Sequence, residues 1–169
     1  MTSGVVVRPV TAEDEKFLWA MLFEAAHAGE QGMVSPDELK GVPELACYVE
    51  GWGRAGDFGV VGGRDGELEG AAWVRWFTHD KPAYGYVDDE TPELAIGVAP
   101  GLRGVGVGTA LLDEVVKEAR LHCPGVSLSV RLSNPALRLY RRAGFVEVPG
   151  TEMIDRSGGS SITMVLRFS

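Results

Sequence analysis

The sequence predicts a mixed α/β fold: one sheet with helices packed on it, and not a strictly alternating doubly wound fold. Three observations lead there. After an opening strand the hydrophobic period is helical between residues 11 and 52, and it changes to two from residue 57. The elements then come in the order three strands, helix, strand, helix and one or two strands. Between the third of those strands and the next helix lies "GLRGVGVGTALL" (101–112), with four glycines in its first eight positions and none after them. Glycine inside an element costs roughly 0.5–1 kcal/mol relative to alanine, so this density needs a reason.

"VVVRPV" (5–10) reads as an edge strand, and Thr11 with Asp14 three residues on reads as a helix start. Phe17, Leu18, Met21, Leu22 and Ala25 recur at helical spacing. Ser35, Pro36 and Glu38 signal a second helix, and a short helix is expected over 43–52. "DFGVVGG" (57–63) and "LEGAAWVRWF" (68–77) flank the turn "RDGE" and predict a hairpin. Residues 78–92 read as a loop rich in aromatic and acidic residues. "ELAIGVAP" (93–100) is a buried strand stopped by Pro100. The helix after the glycines shows Leu111, Leu112, Val115, Val116 and Ala119 on one face. "GVSLSVRLS" (125–133) is a strand, Asn134 and Pro135 open another helix that ends near Gly144, and residues 160–169 form a last strand.

Composition narrows the function. The chain has 169 residues, which suggests one domain spanning 1–169. With 24 acidic against 16 basic side chains and a net charge of −8, it lacks the basic face of a nucleic-acid binder. No apolar run approaches the roughly 18 residues of a membrane span, and the first residues do not form a signal peptide. Cys47 and Cys123 are too few for a disulfide scaffold and read as buried packing residues, so a cytoplasmic setting is expected. His27, His79 and His122 form no metal motif, so no metal is expected.

A strand, a glycine turn and a helix N-terminus make an anion site, because unpaired N–H groups and the positive end of the macrodipole meet there. Arg103 adds a fixed positive charge. The stretch lacks the lysine of a nucleotide P-loop, and no acid stands at the distance a dinucleotide fingerprint requires. It does resemble the pyrophosphate loop of the GNAT superfamily of acetyl-CoA-dependent N-acetyltransferases: Gln or Arg, two residues, Gly, one residue, then Gly or Ala. Arg103, Gly106 and Gly108 occupy those positions. "RPVTAEDEKFL" is similar to the superfamily's opening strand and helix, "ELAIGVAPGLRG" to its fourth strand, and "NPALRLYRRAGF" (134–145) to its second cofactor-contacting helix.

The resemblance implies a GNAT-like fold: a mostly antiparallel mixed sheet of about six to seven strands, splayed between the fourth and fifth, with about four helices. It implies acetyl-CoA as cosubstrate, transfer of the acetyl group to a primary amine in a ternary complex, and pairing through sheet edges into a homodimer as one arrangement. Ile96, Gly97 and Val98 would offer backbone groups to pantetheine and the acetyl carbonyl, with Gly97 compatible with a bulge. Main-chain N–H groups of Arg103, Gly104, Val105, Gly106, Val107, Gly108 and Thr109 would hold the pyrophosphate. Tyr140 matches the tyrosine that faces the thioester sulfur and has a proton to give. Asn134 would contact the pantetheine, but it stands six positions before Tyr140 where seven are usual. Either Ser133 takes that place or the loop is tighter, and helix capping is Asn134's alternative role.

The base is expected to be Glu93, at the head of the fourth strand, with Asp88, Asp89, Glu90 and His79 as alternatives. Alternation puts Glu93, Ala95 and Gly97 on one face and Leu94, Ile96 and Val98 on the other. Trp52, Trp73, Trp76, Tyr84 and Tyr86 are candidates to line the acceptor pocket, with at most one of Trp73 and Trp76 facing it. Two other readings stay open: a non-catalytic module that binds CoA or acetyl-CoA, and an NTP- or NAD-binding protein. The acceptor itself is not legible.

Overall fold

The computed structural model describes residues 4–102, 106–155 and 158–168. The chain runs β1 (Val6–Pro9), α1 (Glu15–Ala25), α2 (Pro43–Ala46), β2 (Phe58–Arg64), β3 (Glu67–Arg75) and β4 (Glu93–Val98). It continues with α3 (Val107–Ala119), β5 (Gly125–Arg131), α4 (Ala136–Ala143), β6 (Val146–Glu147), β7 (Met153–Ile154) and β8 (Ser160–Arg167). The strands form one eight-stranded sheet in the order β1-β2-β3-β4-β5-β8-β6, with β7 also on β8. The pair β4–β5 is parallel and the others are antiparallel. Among the described residues no helix is long and apolar enough to cross a membrane.

Both helix-start signals form capping boxes, Thr11 with Asp14 and Ser35 with Glu38. The second box opens a 3-10 helix, Pro36–Gly41, and the helix expected over 43–52 shrinks to the four residues of α2. The hairpin turn puts Asp65 and Gly66 at φ values of 54° and 79°, as a type I′ connection requires.

Two apolar layers hold the sheet. On one face, Leu111, Leu112 and Val115 of α3 pack with Val74, Leu94, Leu128 and Met164. On the other, Leu18, Met21 and Leu22 of α1 pack with Val61, Ala71 and Trp73. Each fully buried leucine contributes about 1.5–3 kcal/mol. Arg75, on the same side as the second layer, is 1% exposed; its guanidinium meets Asp57 at 3.0 Å and donates to the carbonyls of Cys47 and Glu50. That set of partners offsets the cost of burying the charge.

Two expectations need correction. The ladder from Gly70↔Val98 to Arg75↔Glu93 runs without a register shift, so β4 has no bulge at Gly97 against β3. The glycine is needed because a Cβ there would lie 2.1 Å from the Met21 carbonyl oxygen: the backbone of α1 rests directly on β4. Cys47 and Cys123 are only partly buried, and both are free thiols.

Candidate active site

β4 and β5 touch as strands only where Glu93 pairs with Ser127. β4 remains bonded to β3 through Val98, and β5 to β8 through Arg131, so past Glu93 the two strands part. The edge of β4 that faces β5 is thereby left without a strand partner. The gap opens into a cleft of about 550 Å³. Ile96, Gly97, Val98, Gly106, Gly108, Thr109, Asn134, Tyr140 and Glu93 all line it.

Glu93 enters from the face that carries α1 and α2, as strand alternation dictates. It is 3% exposed, and both carboxyl oxygens are held: Oε1 accepts from the Gly85 N–H at 2.9 Å and Oε2 from the Tyr48 hydroxyl. Burial pushes its carboxyl up to about 8, and the two hydrogen bonds pull the other way. Such a value sits near neutral pH, where a general base works best.

Tyr140 enters from the opposite face, on α4 beside Phe145. Its hydroxyl has no hydrogen-bond partner among the described residues, and burial pushes it up to about 12. It therefore keeps its proton throughout the physiological range.

At the third side, α3 begins at Val107 with Gly106 before it at φ 93°. Helix geometry leaves the first N–H groups of α3 unpaired by the helix itself. Gly108 lines the cleft, and a Cβ there would meet Leu139 at 3.8 Å and Val98 at 3.9 Å, ordinary contact distances. Val107 buries its side chain fully in the α3 layer. Arg103, Gly104 and Val105 lie outside the described residues.

Asn134 stands one residue before the Pro135 N-cap of α4, its Oδ1 accepting from the Ala136 N–H at 2.9 Å, and it lines the cleft; the exposed Ser133 does not line it. The alternative bases lie elsewhere. Asp89 holds the His79 N–H at 2.8 Å and the Tyr86 hydroxyl, and Asp88 holds the Glu90 N–H at 2.9 Å. Of the five aromatic candidates, Tyr84 alone lines the cleft. Trp73 is buried with its indole N–H on the Tyr48 carbonyl, Trp52 covers Arg75, and Trp76 packs beside Gly56.

Sequence reasoning missed Tyr48, which lies 45 positions from its partner in a segment without a motif. It also missed the cleft's other charged or titratable groups: Glu24, His27, Arg142, and Arg131 paired to Glu30 at 3.2 Å and Asp155 at 3.6 Å.

A model of the acetyltransferase (GNAT) family matches residues 19–145. The chain belongs to that family. The GNAT chain is 35% identical over 108 residues to a mycothiol acetyltransferase of Acidothermus cellulolyticus, covering 58% of this chain and 32% of the relative. It thus spans about a third of that relative's length. Among solved structures it is similar to the ribosomal-protein-alanine N-acetyltransferase of Brucella melitensis, with a TM-score of 0.69, 23% identity, and 96% and 99% of the two chains covered. It is equally similar to yncA of Salmonella typhimurium, a structure holding its cofactor acetyl-CoA, with a TM-score of 0.69, 20% identity, and 98% and 95% covered. These likenesses give the GNAT fold, and the family gives the enzyme class, an acyltransferase.

Proposed function

We propose that residues 1–169 form one acetyltransferase domain that moves the acetyl group of acetyl-CoA to a primary amine within a single ternary complex. The observation that carries this reading is a cleft between β4 and β5 that Glu93 enters from one face of the sheet and Tyr140 from the other. Donor and acceptor can then meet in the gap from opposite sides, without a covalent enzyme intermediate.

The residues present fit the cosubstrate. The unpartnered edge of β4 offers the amide groups of Ile96 and Val98 to a pantetheine arm, while Gly97 between them turns its own amide to β3 and lines the cleft. Gly106 and Gly108 bring no side chain to the start of α3, and Thr109 lines the same cleft, so a diphosphate can approach the helix N–H groups. Acetyl-CoA supplies an activated thioester. Glu93, ionised in a rising fraction as pH approaches 8, takes the proton that an amine of pKa near ~10.4 must lose. A β4 main-chain N–H near Ile96 or Val98 serves as the donor to negative charge developing on the acetyl oxygen. Tyr140 delivers its proton to the departing thiolate, whose thiol has a pKa near ~8.5 by analogy with cysteine.

The test is release of free thiol from acetyl-CoA with and without a panel of primary amines, beside binding titrations with acetyl-CoA, ATP and NAD. Amine-dependent release is expected. Tight acetyl-CoA binding without turnover on any amine would favour a non-catalytic module, and preference for ATP or NAD would overturn the cosubstrate.

A further inference from the structure

Glu93 is held by a device that the acetyl-transfer chemistry does not by itself require. The Tyr48 hydroxyl donates to Oε2 and in turn accepts from the Tyr84 N–H at 3.1 Å. The next N–H, of Gly85, donates to Oε1. These two consecutive amides reach Glu93 and Tyr48 because the 78–92 loop folds back onto β5. A Cβ on Gly85 would lie 2.7 Å from the Leu128 carbonyl carbon, so no larger residue fits there. Tyr48 is fixed along its whole length. Its ring packs edge-on against Phe77 with centroids 5.6 Å apart, and its carbonyl accepts the Trp73 indole N–H at 2.8 Å.

We propose that Tyr48 is a positioning residue for Glu93: with Gly85 it clamps the carboxylate from both sides, sustaining its ionised form and turning the remaining lone pairs to the cleft. This rests on the reading of Glu93 as base. A carboxylate offers about four acceptor sites, so two remain after the clamp is made. Hydrogen bonds to the charged form favour it, whereas burial alone would hold the group neutral.

The surroundings leave this role to Tyr48 and Gly85. Beside Glu93 stand Cys47, whose thiol burial pushes up to about 11, and Arg75, whose charge is taken by Asp57. Arg54 also sits by Asp57, at 3.9 Å. Tyr84 contributes its main-chain N–H, and Ser127 on β5 does not titrate. The other charged or titratable groups of the cleft are Glu24, His27, Arg131, Tyr140, Arg142 and Asp155.

The experiment titrates the Glu93 side-chain carboxyl by ¹³C NMR in the full chain, its resonance identified by loss in Glu93→Gln. In Tyr48→Phe the midpoint should rise by about one to two pH units, the equivalent of one hydrogen bond to a charged group. Turnover near neutral pH should fall at least tenfold and recover as pH passes the new midpoint, with acetyl-CoA affinity unchanged. Replacing Tyr48 by 3-fluorotyrosine, a stronger donor of nearly the same shape, should move the midpoint down, which covers the case that the phenylalanine variant does not fold. A midpoint unmoved in either variant overturns the clamp. Turnover retained in Glu93→Gln would instead overturn the base assignment, and the carboxyl titration still reads the clamp on its own.

Discussion

Gly97 of β4 lies under the main chain of α1, with a Cβ at that position only 2.1 Å from the Met21 carbonyl oxygen. Two backbones in direct contact leave nothing to repack, since no side-chain rotamer can yield. Gly97→Ala should therefore push α1 and β4 apart and cost about 1–3 kcal/mol, as overpacking does. The cleft wall moves with β4, so acetyl-CoA affinity should fall in the same variant. Thermal denaturation and an acetyl-CoA titration check both halves, and a wild-type melting temperature would show that the contact yields.

Glu93 makes stability depend on pH with a definite sign. Its carboxyl stands at about 8 in the folded chain against an ordinary 4.5, so the folded state holds that proton more tightly than the unfolded one. The resulting stability is fully present below 4.5 and is lost as pH rises through 8. Each unit of difference is worth about 1.4 kcal/mol. Glu93→Gln keeps an acceptor for Gly85 and has no charge to desolvate. Denaturant unfolding at pH 5 and pH 9 should show the variant gaining on the wild type by a few kcal/mol at the higher pH, while its acetyl transfer falls. A constant difference between the two proteins would mean that Glu93 titrates normally.

Gly108 separates the demands of fold and ligand at the start of α3. Gly106 cannot do so, because its φ of 93° strains any side chain placed there. At Gly108 a Cβ meets only Leu139 at 3.8 Å and Val98 at 3.9 Å, ordinary contact distances, so Gly108→Val should leave the melting temperature within a few degrees of the wild type. Its methyl groups would occupy the space in front of the helix N–H groups, and acetyl-CoA affinity should drop at least tenfold. Isothermal titration checks this, and unchanged affinity would place the diphosphate elsewhere.

The sequence made visible what depends on nearest neighbours along the chain. Thr11 with Asp14 and Ser35 with Glu38 are read correctly as capping boxes because a cap is a contact across three residues. The start of β4 at Glu93 and the end of α4 at Gly144 emerge from period and from turn chemistry in the same way. What failed depends on partners remote in sequence. A glycine inside a strand looks the same whether a bulge or a crossing helix demands it, and at Gly97 the helix does. Tyr48 lies in the turn that follows α2, where nothing along the chain shows the glutamate it meets 45 positions later. β6 and β7, two residues each, are too short to display any period, and β8 alone makes strands of them. Neither Trp73 nor Trp76 reaches the cleft, because β3 spends Trp73 on the α1 layer and ends before Trp76.

Tyr140 permits a test in which chemistry and stability move independently. Its hydroxyl has no partner among the described residues, so the folded state gains no hydrogen bond from it. Removing such a group leaves no buried donor or acceptor stranded, and Tyr140→Phe should melt at or slightly above the wild-type temperature. The edge-on packing against Phe145, with centroids 5.9 Å apart, is retained. Turnover should nevertheless fall about 10²-fold or more, the usual contribution of a positioned acid, with acetyl-CoA affinity unchanged. The loss should also depend on the leaving group. An acetyl thioester of a more acidic thiol needs less help from a proton, so the gap between wild type and variant should narrow with that donor. Steady-state kinetics on both thioesters decide the matter: a gap of the same size on each would assign Tyr140 to orientation of the substrate, and no gap on either would remove it from the reaction.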